Sequence, residues 1–92
     1  MDEKDWHMLT VLAEERNITR AARRLFFTQP SLSAKLKALE REFDCPLLVR
    51  NAKGIAFTAQ GEMVLAYANA SLERLENLRR QIEASQHEVC GT

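Results

Sequence analysis

No helix breaker interrupts the chain from about residue 62 to residue 88. Thr58 is a competent N-cap, so the pattern predicts one helix over 58–88. Its 31 residues would extend about 46 Å at 1.5 Å per residue. The roughly 57 residues before it form a body with an expected radius of gyration near 10 Å, and such a body cannot cover that helix. Yet the helix carries an apolar stripe, Leu65, Ala68, Leu72, Leu75, Leu78 and Ile82, at spacings of 3, 4, 3, 3 and 4. A stripe of this kind needs a partner, and a second copy of the chain is the economical one. Ala66, Ala70 and Ser71 would let it approach closely, while Glu73, Arg74, Glu76, Arg79, Arg80 and Glu83 have the mixed charge of a wetted face. A helix packed on a further domain of the same chain is the other reading.

Ahead of the long helix the signals are short and closely spaced. Trp6, Leu9, Leu12 and Ala13 recur at helical spacing and predict a first helix over about 3–15. Arg16-Asn17-Ile18 breaks it, and Asn17 or Thr19 can cap a short second helix marked by Ile18, Ala21, Ala22 and Leu25. The paired alanines predict a helix packed close by. Phe26-Phe27 belongs to a tight turn. Thr28 is an N-cap with Pro30 in the first turn, where a missing N–H costs nothing. Leu32, Leu36, Leu39 and Phe43 then give a third helix over 29–43, with Ser33, Lys35, Lys37 and Arg41 on its other face. Pro46 forbids further helix. Leu47–Arg50 and Ile55–Phe57 are short strand candidates around Asn51-Ala52-Lys53-Gly54, a turn with a basic tip. The prediction is a mainly α fold: three helices, a two-stranded hairpin, and a long fourth helix.

The formal net charge is zero, but its distribution is uneven. Residues 1–15 sum to −4, residues 16–53 to +6 and residues 54–92 to −2. A basic middle between acidic ends suits a polyanion-binding face on an otherwise neutral protein. The acidic start is not a secretory signal, and no apolar run reaches the roughly 18 residues of a membrane span. Cys45 and Cys90 have neither disulfide-framework nor zinc spacing, and His7 and His87 sit far from both. We therefore expect a reduced cytoplasmic protein with no metal and no cofactor. Cys45 beside Pro46 reads as a small buried residue and Cys90 as an exposed thiol.

Two helices joined by a tight turn, the second opening on small polar residues, follow the helix-turn-helix plan. Only the first turns of such a helix enter the major groove, so side chains there must be short or able to pair with base edges. Gln29 can pair bidentately with adenine, Ser31 and Ser33 can donate or accept, and Lys35 and Lys37 can reach guanine or phosphate. The helix N-terminus itself attracts a phosphate. Arg50 and Lys53 flank the following turn, as expected of a wing touching backbone or minor groove.

The run Asn17-Ile18-Thr19-Arg20-Ala21-Ala22-Arg23-Arg24-Leu25, then Thr28-Gln29-Pro30-Ser31-Leu32-Ser33 and Leu39-Glu40, resembles the N-terminal signature of LysR-type transcriptional regulators. Leu47-Leu48-Val49-Arg50 and Phe57-Thr58-Ala59-Gln60-Gly61 continue it in register. The resemblance implies a winged helix-turn-helix over 1–57, a dimerising linker helix over 58–88, and a tail at 89–92 where a C-terminal effector-binding domain is absent. It implies a homodimer bound to promoter inverted repeats, with a small-molecule effector only in a full-length protein. By matching position, base-reading or groove-contacting roles fall to Gln29, Pro30, Ser33 and Ala34. Backbone roles fall to Thr28, Ser31, Lys35, Lys37 and Arg50, and the wing tip to Lys53. The chain departs from the family at four places. Ala34 replaces a long polar residue, Asp44 a glycine, and Leu48 a phenylalanine, while Phe27 stands where a smaller aliphatic is usual. Asp tolerates left-handed geometry, and Phe27 reads as core rather than as a base-stacking residue.

No catalytic constellation is visible, so the chain does not read as an enzyme. The competing function is a basic-faced helical dimeriser that binds protein, which would need neither Gln29 and Ser33 on one face nor a basic wing.

Overall fold

The computed structural model describes residues 1–90, with side chains described through residue 86. Six elements follow one another: α1 (Glu3–Glu15), α2 (Ile18–Arg24), α3 (Gln29–Phe43), β1 (Leu48–Asn51), β2 (Gly54–Phe57) and α4 (Ala59–Cys90). Each helix start is chemically specified. Asp2 and Asp5 form a reciprocal capping box on α1, each carboxylate accepting the other's backbone N–H at 3.0–3.1 Å. Asn17, not Thr19, caps α2 by accepting from the Arg20 N–H at 2.9 Å. Thr28 caps α3 by accepting from the Ser31 N–H. The ends are marked by left-handed residues, Arg16 (φ 52°) after α1 and Asp44 (φ 56°) after α3. Asp44 thus adopts the geometry that a glycine would take more cheaply.

The core is assembled from Met8, Leu9 and Leu12 of α1, Ala21 and Ala22 of α2, Leu32, Leu36 and Leu39 of α3, and Leu47 and Ile55 near the hairpin. The two alanines are fully covered, which lets α2 lie close to both of its neighbours. Phe27 packs half-buried against this core. Phe43 does not continue the buried stripe: as the last residue of α3 it lies beyond the core and is 41% exposed. Cys45 is half-buried rather than enclosed, and Leu48 packs against the core from β1.

The first turns of α4 are part of that same core, which corrects the sequence expectation. Leu65 and Ala68, two of the six residues read as a dimer seam, are 8% and 0% exposed within the single chain. Val64 is buried with them, and α1 is the element that covers them. Leu72 and Leu75 are half-buried, and only Leu78 and Ile82 stand out at 49% each. The body fails to cover the whole helix, as its length requires, but it covers the beginning. The molecule accordingly measures 59 × 25 × 21 Å. Cys90 and His87 lie outside the described side chains, and Gly91 and Thr92 outside the described residues.

Candidate nucleic-acid interface

The start of α3 is held from both sides. Thr28 caps it, Pro30 fills the first turn, and Leu32 is fully buried beneath it. At 100° per residue, Pro30, Ala34, Lys37 and Arg41 then form the ridge farthest from the core. All four are exposed, as are Gln29, Ser31 and Lys35. Gln29 is not free-standing: its Oε1 accepts a hydrogen bond from the Thr19 hydroxyl at 3.3 Å. That bond ties the Gln29 amide at the start of α3 to α2, with its two N–H donors not used in it. Sequence spacing could not reveal this pairing, because the partners lie ten positions apart on different helices. Lys35 lies with its Nζ 5.2 Å from the Phe27 ring centre. The aromatic face holds the ammonium at the edge of the helix.

The wing sits beside α3 because three contacts fix its base. Glu40 of α3 accepts from the Leu47 N–H at 2.7 Å and the Leu48 N–H at 3.4 Å, which aligns the entry to β1. The Arg16 carbonyl accepts from the Ile55 N–H at 3.1 Å, tying β2 to the junction of α1 and α2. Gly54, at φ 131°, leaves room for that junction, since a Cβ there would overlap the Arg16 carbonyl oxygen. β1 and β2 then pair antiparallel from Leu48↔Phe57 to Asn51↔Gly54. The Asn51 side chain accepts from the Lys53 N–H at 2.9 Å, shaping the tip. At the far end the Thr58 hydroxyl donates to the Pro46 carbonyl at 2.7 Å and accepts from the Gly61 N–H at 2.9 Å. Gly61 itself has no space for a Cβ, because the Leu47 carbonyl lies against it.

These contacts bring Ser33, Lys37 and Arg50 around one cleft between α3 and the wing. Ser33 is half-buried there, on the flank of α3 rather than on its crest. Arg50 and Lys53 are exposed, and Lys53 stands at the hairpin tip. The surface therefore combines a helix start with polar, short side chains and cations on two elements. One cation counted in the basic middle is already neutralised. Arg24 pairs with Glu14 at 3.1 Å and Glu15 at 3.0 Å, and the hydrogen bonds it donates to Glu15 and Glu14 hold its guanidinium pKa above the ordinary value. Among the described residues no group of three or more His, Cys, Asp or Glu side chains could hold a metal ion. Nor, among the described residues, is any helix long and apolar enough to cross a membrane.

Two helices joined by a tight turn, a capped third-helix start and an antiparallel basic hairpin against it define a winged helix-turn-helix followed by a long helix. Residues 4–62 match the bacterial regulatory helix-turn-helix protein family of the lysR type, and the chain belongs to that family. Over 91 residues it is 44% identical to the uncharacterized HTH-type transcriptional regulator YraN of Bacillus subtilis (strain 168), covering 99% of this chain and 32% of that protein. It is 40% identical over 79 residues to the Hca operon transcriptional activator HcaR of Escherichia coli (strain K12), covering 86% of this chain and 27% of the relative. The chain thus spans about a third of the length of such relatives. Among solved structures, the CbnR DNA-binding domain in complex with DNA superposes with a TM-score of 0.83 at 30% identity, covering 92% of this chain and 98% of that one. The BenM DNA-binding domain on its catB site 1 DNA gives 0.84 at 28%, covering 95% and 96%.

Proposed function

We propose that this chain is the DNA-reading unit of a transcription regulator, and that it binds double-stranded DNA sequence-specifically as a two-fold dimer. In this reading α3 enters the major groove, with Gln29, Pro30, Ser33 and Ala34 facing base edges. Thr28, Ser31, Lys35, Lys37 and Arg50 meet the sugar-phosphate backbone, and Lys53 reaches the backbone or minor groove from the wing tip. The observation that carries it is the common cleft of Ser33, Lys37 and Arg50, which joins helix and wing into one surface. The likeness to two domains solved on DNA supports the same surface. Residues 1–57 supply the reading head in this proposal, and the exposed part of 58–88 supplies the dimer contact. Two reading heads related by a two-fold would address an approximate inverted repeat, with half-sites one or two helical turns apart. A cytoplasmic, non-enzymatic role fits a regulator of this family. Any small-molecule effector would act through parts of a longer protein.

The test is selection of DNA fragments by the purified protein, followed by the same selection with Gln29→Ala. We expect an inverted-repeat consensus, and a loss of preference at particular positions in the variant, each lost contact costing about 1–3 kcal/mol. An unchanged preference profile for Gln29→Ala would remove α3 from the base-reading role.

A further inference from the structure

Among the described residues Phe26 is the most exposed large apolar side chain, at 95%. Its backbone is left-handed, with φ 59°, a region that strains a bulky residue. The strain has a local origin. The Phe27 N–H donates to the Ala22 carbonyl at 2.8 Å, and the Phe26 N–H to the Arg23 carbonyl at 3.2 Å. These two bonds close α2 as a Schellman motif, whose left-handed position favours glycine. Leu25 and Phe27, on either side, pack against the core. With its backbone held by both bonds, Phe26 has no core to reach and its ring projects into solvent. The residue therefore adds almost no burial to folding and carries the cost of an unfavourable φ.

Its surroundings favour nucleic acid over protein. Phe26 stands two residues before Thr28, which caps α3 and is assigned above to the DNA backbone. Arg23, whose carbonyl accepts the Phe26 N–H, is exposed, and Lys35 lies 5.2 Å from the neighbouring Phe27 ring centre. A docked protein would ask for a contiguous apolar patch of several hundred Å², and a single ring among cations and polar groups does not supply one. A duplex offers the complementary pattern, with phosphates for the cations and the C–H edges of deoxyribose between them for one ring. Resting on the DNA reading above, we propose that Phe26 is a further DNA contact, its ring lying against deoxyribose at the edge of each half-site. Such a contact carries no base information and releases no counterion, so it raises affinity for every sequence alike and stands outside the salt dependence. Covering one ring face, about half of a phenylalanine side chain, corresponds to about fivefold in affinity for each reading head.

Phe26→Asn separates this contact from a folding role, because asparagine accepts left-handed geometry and the exposed ring leaves no cavity. Its Tm should be equal to or higher than that of the unsubstituted chain, and a lower Tm would overturn the argument from strain. On a duplex selected by the unsubstituted chain, Phe26→Asn should lose about fivefold in affinity for each reading head, with base preference and salt dependence unchanged. Phe26→Tyr, which keeps the ring, should bind within about twofold. A change of preference confined to one base pair would overturn the sugar assignment in favour of a thymine methyl. A second measurement is direct. The benzophenone group of p-benzoylphenylalanine inserts into C–H bonds on irradiation, so this residue at position 26 should cross-link to the duplex. The same residue in place of His7, exposed on α1, should not. Full affinity in Phe26→Asn, or a duplex left unlinked from position 26, would overturn the contact and leave the ring to a protein neighbour. Those results refute Phe26 alone, whereas an unsubstituted chain that selects no duplex refutes the DNA reading beneath it.

Discussion

Leu65 and Leu78 look equivalent on a helical wheel of residues 58–88, and the structure separates them. Leu65 is 8% exposed within one chain, and Leu78 is 49% exposed. Truncating a buried leucine removes its transfer free energy and leaves a cavity, so Leu65→Ala should cost about 2–5 kcal/mol of folding stability. For a domain of this size 3 kcal/mol corresponds to a fall in Tm of roughly 12–24 °C. Leu78 has less folding stability to lose, and about half of its surface is left for the proposed partner to cover. At about 2 kcal/mol for a fully buried leucine, covering that half contributes roughly 1 kcal/mol per copy. Both copies contribute in the proposed dimer, so Leu78→Ala should weaken dimerisation by about 2 kcal/mol, or roughly 30-fold in Kd. Thermal unfolding at several protein concentrations, together with sedimentation equilibrium, reads the two quantities separately. If Leu78→Ala lowered Tm as much as Leu65→Ala and left Kd unchanged, the division of α4 into core and interface would be wrong.

If cations on α3 and the wing neutralise about 6–10 phosphates per dimer, affinity should fall by ~10³–10⁵ between about 50 and 200 mM salt. Titration of a selected operator measures this, and Lys37→Ala or Arg50→Ala should make the dependence shallower while weakening all sequences alike. Gly54→Ala forces a Cβ onto the Arg16 carbonyl at a φ of 131°, so the wing should detach from the α1–α2 junction. Faster hydrogen exchange at the Ile55 amide, with α3 protected as before, would show it, and unaltered exchange would count against this anchor. Asp2→Ala should destabilise the fold by removing the N-cap of α1. In the native protein the Asp5 backbone N–H holds the Asp2 carboxyl below its ordinary pKa of 3.8. Its stabilisation is therefore complete above that value and lost as pH falls through the lower folded-state pKa. A stability–pH profile identical in the native protein and Asp2→Ala below pH 5 would contradict this.

Much of the architecture is local and was legible before any coordinates. Thr28, Asn17 and Asp44 act through backbone neighbours three or four residues away, so capping chemistry places the start of α3 and brings the start of α2 to Asn17 or Thr19. The buried faces of α1 and α3 follow from the spacing of Leu9 and Leu12 and of Leu32, Leu36 and Leu39, because helical periodicity needs no partner to be visible. The hairpin and its basic tip are likewise written in Asn51 to Gly54. What periodicity cannot state is which of two apolar sectors on one helix meets which neighbour. Leu65 and Ala68 belong to the core only because α1 lies over them, while Met63 and Tyr67, unremarkable in the sequence pattern, stand beside a groove that the end of α3 creates. The Thr19–Gln29 hydrogen bond, the Glu40 clamp on Leu47 and the Ile55–Arg16 bond are of the same kind. Each joins two elements, and its existence depends on distances set by the whole fold. Sequence alone determined the Thr28 cap, the turn chemistry and the sign of the charged face, and it narrowed the cap of α2 to Asn17 or Thr19. Which surface of α4 is interior, and how the wing is aimed beside α3, only the packing of all the elements together decided.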